Sequence, residues 1–357
     1  MKKTVLVIFG IIFIISCSSS GNNETPNDLP NNNGNNNSAN QEWLIPINEV
    51  KDGGPGKDGI ASIDSPKFEA AEFQTHLQND DLVVGVIHNG EAKAYPHAIL
   101  DWHEIVNDET VTINYCPLTG SAFGWKNIVN GSSSTFGVSG LLYNTNLILY
   151  DRKTDSNWSQ MLLQCVNGNL IGDSPEIVSV IETNWLTWKS MYPFSSVLSR
   201  ESGSFDLEHY DRYPYGNYLE NHNFFLFNVT PLNSTLPHKQ RVFAIINNNM
   251  AKVYQFSDFE GGNAIVDSFN GKNYLVVGNE NIINAFELTD DISHLCYEYC
   301  FDYTETFFKD NEGNNWSIFG KATSGSREGQ NLITPKSLVS FWFAIAAFYP
   351  GPYIYSE

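Results

Sequence analysis

An internal repeat is the feature that most constrains how this chain can fold. Residues 83–95 (VVGVIHNGEAKAY) match residues 242–254 (VFAIINNNMAKVY), and three further short blocks recur, so that all four matches have an offset of 157 to 159 residues. Such a steady offset over four separate blocks predicts a tandem duplication. We expect repeat one at 82–193, a connector at 194–240 and repeat two at 241–350.

The residue patterns within each repeat are mainly those of β-strands. Residues 82–95 form two apolar runs on either side of Asn89-Gly90, a pair that favours a type I′ hairpin turn. The other predicted elements are strands at 111–115, 136–138 and 147–150, a weak helix at 68–77, and helices at 97–106 and 184–192. We therefore predict an α+β fold, predominantly β, in which two tandem related α+β repeats pack into one globular unit at 41–357.

The composition limits the kinds of partner that the protein can have. With 41% hydrophobic residues in a chain of 357, there is enough apolar material for one large core or two ordinary ones. The 40 acidic residues outnumber the 20 basic ones and give a formal net charge of -20. A nucleic acid would be repelled by this charge, so we expect no nucleic-acid partner.

The N-terminus has the pattern of a targeting segment. Two lysines precede an apolar run at 5–15, which is too short to span a bilayer as a permanent helix. The run ends Ile-Ile-Ser-Cys and resembles a bacterial lipoprotein signal, which implies a cleaved signal peptide at 1–16 and a lipid on Cys17. A plain secretory signal is the alternative. Residues 17–40, rich in Asn, Ser and Gly, predict a disordered tether.

These N-terminal features predict a location in the cell envelope. The protein would be extracytoplasmic and lipid-anchored to a membrane, either at the outer membrane or at the cell surface. Its membrane partner would be reached only through the N-terminal lipid.

One stretch of repeat one brings nucleophile-type and base-type side chains near a predicted turn. Cys116 follows a predicted strand and precedes the small residues Gly120 and Ser121. Backbone N–H groups at such a turn would lower the pKa of the thiol and stabilise an anion. We therefore expect Cys116 to act as a nucleophile or redox centre, with His103 as its base or orienting group. An inert buried thiol or a disulfide with Cys165 is the alternative.

The duplication provides a comparison for these residues, because side chains needed only for the fold should recur in both copies. At the matching offset Cys116 becomes Leu275 and His103 becomes Gly262. The fold therefore does not require a thiol or an imidazole at these positions. They were either gained for function in copy one or lost from copy two.

A metal site is a second interpretation of the same stretch. His97, His103 and Cys116 could supply three ligands, and an isolated thiolate–imidazole pair suits copper better than zinc. On a helix the two histidines would be about 120° out of line, unlike the i, i+4 pair of a helical zinc site. The possible cofactor is therefore a transition metal such as copper, bound through Cys116 and His103.

Two further clusters have both a structural and a functional interpretation. Asp151, Arg152 and Trp158 form either a hairpin with a surface salt bridge or the wall of a binding site that faces the thiol. Cys296 and Cys300 would be within reach of each other if they lay on a helix, as a local disulfide or as part of a metal site.

These motifs resemble a bacterial family, the domain of unknown function family DUF3179. The resemblance covers most of residues 43–355, but the family usually has a second cysteine at the position of Thr119. Cys116 therefore has no local resolving thiol for a dithiol mechanism. The family has no established reaction. The blocks that carry the resemblance are GPGKDGIASID, AYPHAILDWHEIVND, TINYCPLTGSAFGW, FGVSGLLYNTNLILYDRKTDSNWSQM, YPYGNY, WSIFGKATSG and FWFAIAAFYP.

Three functions remain open on the sequence alone. The first is an enzyme or redox protein that uses the thiol of Cys116. The second is copper binding or delivery through Cys116 and His103. The third is a non-catalytic surface binding module in which the aromatic-rich repeats grip a glycan or a protein partner.

Overall fold

The structure, a computed structural model, describes residues 42–356. The predicted signal peptide at 1–16, Cys17 and the tether at 17–40 lie outside the described residues. The described part of the chain contains many short strands and three α-helices of seven residues each, which confirms an α+β fold that is predominantly β. None of the helices in residues 42–356 is long and apolar enough to cross a membrane.

The first half of the domain, residues 42–193, consists of short strands and two short helices. They are β1 (Lys51–Asp52), β2 (Phe68–Ala70), β3 (Leu82–His88), β4 (Glu91–Pro96), α1 (His97–His103), β5 (Ile105–Asp108), β6 (Val111–Cys116), β7 (Ser121–Lys126), β8 (Ile128–Val129), β9 (Ser132–Ser133), β10 (Phe136–Tyr143), β11 (Asn146–Asp151), β12 (Asn157–Ser159), β13 (Gln164–Asn167), β14 (Ile177–Val178), β15 (Val180–Asn184) and α2 (Trp185–Met191). The strand that follows this half, β16 (Ser196–Leu198), lies at the start of the connector.

The second half, residues 241–356, begins with another strand pair. Its elements are β17 (Arg241–Asn247), β18 (Met250–Gln255), β19 (Asn263–Phe269), β20 (Lys272–Asn279), β21 (Ile282–Glu287), β22 (Tyr297–Tyr299), β23 (Thr306–Asp310), β24 (Asn315–Ser317), β25 (Ala322–Ser324), β26 (Ser337–Phe341), α3 (Trp342–Phe348) and β27 (Tyr353–Ile354). Between the halves, the connector at 194–240 contains β16 and two 3-10 helices, Arg200–Ser202 and Leu207–Asp211.

Each half contains a sheet built on a hairpin, and the two sheets have matching strand orders. The order is β15-β3-β4-β16-β2 in the first half and β26-β17-β18-β27 in the second. In both sheets the first pairing is antiparallel and the strand added beside β4 or β18 is parallel. A short helix follows directly after β15 and after β26, so the order of elements matches as well.

Most of the predicted elements have the expected type. The hairpin of β3 and β4 turns at Asn89 and Gly90, whose φ angles of 52° and 82° are those of a type I′ turn. The helix predicted at 184–192 is α2, and Asn184 caps it by accepting the backbone N–H of Thr187 at 2.9 Å. The strands predicted at 111–115, 136–138 and 147–150 are also present, as β6, β10 and β11.

Two helix predictions need correction. Residues 68–77 form β2 and the short 3-10 helix Ala71–Phe73, because β2 gains strand partners on β16 that local helical spacing cannot reveal. The helix predicted at 97–106 ends at His103. Glu104 has a φ of 56°, which stops the helix, and β5 begins at the next residue.

Apolar packing joins the two halves. One buried cluster contains Leu149 and Trp158 from the first half together with Ala244 and Ile345 from the second. Phe341 Cε1 would lie only 2.9 Å from a Cβ at Gly120, so the β6–β7 hairpin approaches the second half very closely. Any site at this hairpin is therefore shaped by both halves.

Candidate functional site

A cleft of about 710 Å³ opens where the first half, the connector and the second half meet. His97 and Asp101 of α1 and Tyr115 of β6 line it from the first half. Tyr213 lines it from the connector, and Arg241 at the start of β17 lines it from the second half. The cleft is rich in ionisable side chains.

His97, which lines this cleft, is paired with the buried residue Glu182. His97 Nε2 lies 3.0 Å from Glu182 Oε2, which is ion-pair distance, although the angle does not make a hydrogen bond. Arg241 Nη2 lies 3.3 Å from the same oxygen. The Glu182 side chain is only 3% exposed, so its carboxylate is shared between an imidazole and a guanidinium away from bulk water.

Asp101 lies one helical turn after His97. Burial raises the pKa of the Asp101 carboxyl well above its usual value, and the nearby charge of Glu104 raises it further. Burial therefore favours the protonated form of this carboxyl. Burial also raises the pKa of Tyr115, and the charges of Asp101 and Glu182 add to this effect, which indicates that both carboxyls are near the tyrosine hydroxyl.

Buried polar atoms without hydrogen-bond partners concentrate at this cleft. Among the described residues, twelve buried side-chain nitrogen or oxygen atoms lack a partner. Four of these atoms belong to lining residues, and a fifth is Glu182 Oε1 beside His97. Native proteins leave few such atoms unsatisfied, so a cluster of them indicates a place where a ligand or water binds. The four lining atoms are His76 Nε2, Asp101 Oδ1, Arg200 Nε and His97 Nε2, the last of which has Glu182 as its ion-pair partner.

Cys116 lies behind the cleft and does not have the surroundings of an activated thiol. It is 1% exposed, and its Sγ donates to Thr145 O at 3.8 Å. Burial, followed by the charge of Glu104, raises the pKa of the Cys116 thiol to about 11. The sequence predicted a lowered pKa from turn N–H groups, but desolvation is the larger effect here.

His103 is not placed as the base of Cys116. Its Nδ1 lies 2.7 Å from Ala61 O and its Nε2 lies 2.8 Å from Tyr210 OH, so both ring nitrogens have other partners. Burial lowers the pKa of His103, which favours the neutral imidazole. His103 therefore fastens α1 to the connector and to the loop that contains Ala61.

The alternative metal ligands are not gathered into one site. Within residues 42–356, no group of three or more His, Cys, Asp or Glu side chains is arranged to hold a metal ion. His97 pairs with Glu182, His103 contacts Tyr210, and Cys116 contacts Thr145, so each predicted ligand has a different neighbour. The described geometry therefore does not favour copper binding through this set.

The predicted anion-stabilising turn serves mainly to hold the structure together. In the β6–β7 hairpin, Cys116 pairs directly with Ser121. Ser121 Oγ donates to Gln160 Oε1 at 2.7 Å inside the fold. Gly120 has a φ of 57°, lines the cleft and packs under Phe341, where a side chain would collide.

Asp151 and Trp158 form a turn-capping contact instead of a site wall. Trp158 Nε1 donates to Asp151 Oδ2 at 3.1 Å, and the carboxylate also accepts backbone N–H groups of the turn that follows it. The second half repeats this arrangement, with Trp316 Nε1 donating to Asp310 Oδ2 at 2.9 Å. A contact that occurs in both halves is explained by the fold.

Arg152 has a partner on the surface. Its Nη1 lies 2.8 Å from Asp64 Oδ1, and its Nη2 donates to Ser62 Oγ at 2.7 Å. These contacts attach the loop before β2 to the hairpin of β11 and β12, as the surface salt-bridge interpretation expects.

The four described cysteines are free thiols. Cys296 and Cys300 flank strand β22 and do not lie on a helix. Four residues of extended chain span about 13 Å, beyond the roughly 7 Å limit for the Cα atoms of a disulfide. A local disulfide between them is therefore incompatible with this structure, and Cys165 remains unpaired.

Sequence reasoning missed Asp101, Glu104, Glu182 and Arg241. His97 and Asp101 are four residues apart on a helix, which places them on one face, so this pair could have been recognised. Glu182 and Arg241 carry no local signal. They reach His97 only because β15 and β17 are brought there by the fold.

Fold and site together define a predominantly β protein with an acid–imidazole cleft between its two halves. The chain belongs to the family described as "Protein of unknown function (DUF3179)", whose sequence model matches residues 57–352. This match confirms the resemblance recognised from the motifs. No curated protein and no solved structure was found to match the chain.

Proposed function

We propose that this protein is a lipid-anchored hydrolase of the cell envelope that uses the cleft for general acid–base catalysis on a polar small molecule. Asp101 is the proton donor, and His97, oriented by Glu182, is the proton acceptor. The observation that carries the proposal is that three buried polar atoms of the cleft lining, His76 Nε2, Asp101 Oδ1 and Arg200 Nε, have no hydrogen-bond partner.

The proposed reaction needs two groups in opposite protonation states. Since burial favours the protonated form of Asp101, this carboxyl can give a proton to a departing oxygen. Glu182 orients His97 at Nε2, which leaves Nδ1 to accept a proton from an attacking water. The water oxygen then bonds to the substrate, the leaving group takes the Asp101 proton, and solvent returns the His97 proton to Asp101.

Hydrolysis of a small panel of nitrophenyl substrates tests this proposal. The panel is 4-nitrophenyl acetate, phosphate and N-acetyl-β-glucosaminide, and nitrophenolate release is measured. We expect the wild type to hydrolyse one class, and the double variant His97→Phe with Glu182→Val to lose about 100-fold or more of that rate. A matched control changes the exposed pair His294 and Glu312, which lie 3.5 Å apart, to the same residues.

The control should keep the wild-type rate. If the wild type is no faster than the His97 and Glu182 double variant on all three substrates, the cleft is not a hydrolase site of this kind. Loss of rate in both double variants would equally contradict the proposal, because the effect would not belong to the cleft.

The proposed origin of the fold is a tandem duplication. The steady sequence offset supports it, and so do the matching strand orders of the two hairpin sheets. In this proposal copy one kept or gained the ionisable groups, and copy two supplies one wall of the cleft through Arg241 and Phe341.

The proposed anchoring rests on the N-terminal sequence pattern alone. A Cys17→Ser variant should move the protein from the membrane fraction to the soluble fraction, because the lipid would be the only membrane contact. Retention in the membrane fraction after this change would contradict lipid anchoring at Cys17.

A further inference from the structure

A second, smaller cavity lies between the first half and the connector and is separate from the cleft. It measures about 150 Å³ and is lined almost entirely by apolar side chains and glycine. Leu118, Val138, Leu142 and Leu147 form much of its wall. Apolar cavities of about this size accept molecules as large as benzene.

Two backbone irregularities meet at this cavity. Glu104 lines it with a φ of 56°, in a region that residues other than glycine rarely adopt. Gly140 lines it at a β-bulge, where the pairing of β10 with β11 shifts between Val138 and Leu141. Bulges and strained residues occur preferentially beside functional sites, because they direct side chains to places that regular strands cannot reach.

The cavity has one polar corner. Glu104 is buried, and the Tyr215 hydroxyl donates a hydrogen bond to its carboxyl. Burial raises the pKa of Glu104 to about 8, so the carboxyl is mostly protonated at neutral pH. A protonated carboxyl can both donate and accept a hydrogen bond, and it does not attract a cation.

We propose that this cavity is a binding site for a small uncharged alcohol or phenol, with its apolar body among the leucines and its hydroxyl hydrogen-bonded to Glu104. The volume sets the size of the ligand, and the apolar wall excludes a charged one. The lining of this cavity shares no residue with the cleft, and Glu104 acts on the cleft only through the effect of its charge on Asp101.

Two probes of nearly equal size test the site on the full chain. Binding of 4-fluorophenol and of fluorobenzene is followed by fluorine NMR. We expect saturable binding of both, with 4-fluorophenol about fivefold tighter because it alone can hydrogen-bond to Glu104. Glu104→Leu should remove this preference, whereas Glu104→Gln should keep it.

A cavity-filling variant provides the second test. Leu142 lines the cavity and is partly exposed, so Leu142→Trp should fill it without burying a new side chain completely. Leu162→Trp is the matched control. Like Leu142, Leu162 packs against the buried apolar cluster that joins the two halves, but it does not line the cavity. Binding should be lost in the first variant and kept in the second.

Several outcomes would overturn the proposal. They are the absence of saturable binding by the wild type, unchanged binding in Leu142→Trp, and equal affinity for the two probes in the wild type. The double variant His97→Phe with Glu182→Val should bind both probes normally. Failure of the proposed hydrolysis and failure of this site can therefore be told apart.

Discussion

The two hairpin sheets share one polar network and differ in another. In the first half, Tyr95 OH donates to Asp108 Oδ2 at 2.7 Å, and in the second half Tyr254 OH donates to Asp267 Oδ2 at 2.8 Å. A lysine of the same strand pairs with each aspartate. This network occurs in both halves, so the hairpin sheet itself accounts for it.

The second network exists only in the first half. By sequence offset and by strand register, the positions of His97 and Glu182 are occupied in the second half by Phe256 and Val339. The same architecture therefore accepts apolar residues where the first half buries an imidazole and a carboxylate. Because buried ion pairs contribute little net stability compared with apolar residues, the fold alone does not explain this pair.

The largest expected effect concerns Cys116, whose position holds Leu275 in the second half. With a pKa of about 11, its thiolate fraction at pH 7.5 is about 300-fold below that of a free thiol of pKa about 8.5. Alkylation of Cys116 by iodoacetamide should be slower by at least this factor. Exposed Cys296 provides the internal standard, and mass spectrometry of each peptide measures both rates.

Fast labelling of Cys116 below pH 8 would instead restore the thiol nucleophile as the leading hypothesis. Labelling that appears only after addition of a chelator would restore the metal interpretation. Either result would show that the first half uses this position as the sequence predicted.

The next largest effect is the loss of stability on removing either of the two turn-capping aspartates, Asp151 in the first half and Asp310 in the second. Asp151→Ala and Asp310→Ala should each lower the free energy of unfolding by about 3 kcal/mol, because each removes a charged acceptor from several buried donors. Urea unfolding measures both changes. A ligand-binding role for Asp151 would appear as a much smaller loss of stability in Asp151→Ala than in Asp310→Ala.

Glu104 should make the free energy of unfolding depend on pH, whereas its counterpart in the second half, Asn263, does not ionise. The folded-state pKa of Glu104 is about 8 and its ordinary value is 4.5, so the folded state binds this proton more tightly. Its contribution to stability is complete below pH 4.5 and is lost as pH rises through about 8. Between pH 5 and pH 8 this loss amounts to about 3.5 kcal/mol.

Glu104→Gln should remove that part of the pH dependence, as measured by urea unfolding at pH 5, 7 and 8. Glu91→Gln, which changes an exposed carboxylate, serves as the control and should keep the wild-type slope. An unchanged slope in Glu104→Gln would mean that this carboxyl titrates normally in the folded protein.

The smallest expected effect concerns the tyrosine–aspartate–lysine network that occurs in both hairpin sheets. Tyr95→Phe and Tyr254→Phe should each cost about 1 kcal/mol of unfolding free energy, because each removes one hydrogen bond to a carboxylate that keeps its lysine. Thermal unfolding measures both. A large difference between the two variants would contradict an equivalent structural role in the two halves.

Sequence patterns were reliable where the physical cause is local. The Asn89-Gly90 turn and the capped helix after Asn184 depend on neighbouring residues, and both have the expected form. The strand at 68–70 depends on pairing with β16, more than a hundred residues away, so its local pattern was misleading. The same limit applies to the site, because the sequence pattern predicts His97 only as a metal ligand and gives no signal for Glu182.

The sequence by itself determined the predominantly β fold class, the family and the stretch around α1 and β6 where the ionisable residues lie. Only the tertiary structure decided which of these residues act on one another, because burial and partners come from distant segments. Desolvation raises the pKa of Cys116, while Ala61 and Tyr210 occupy both nitrogens of His103. The fold instead brings Glu182 and Arg241 to His97, and this arrangement defines the cleft.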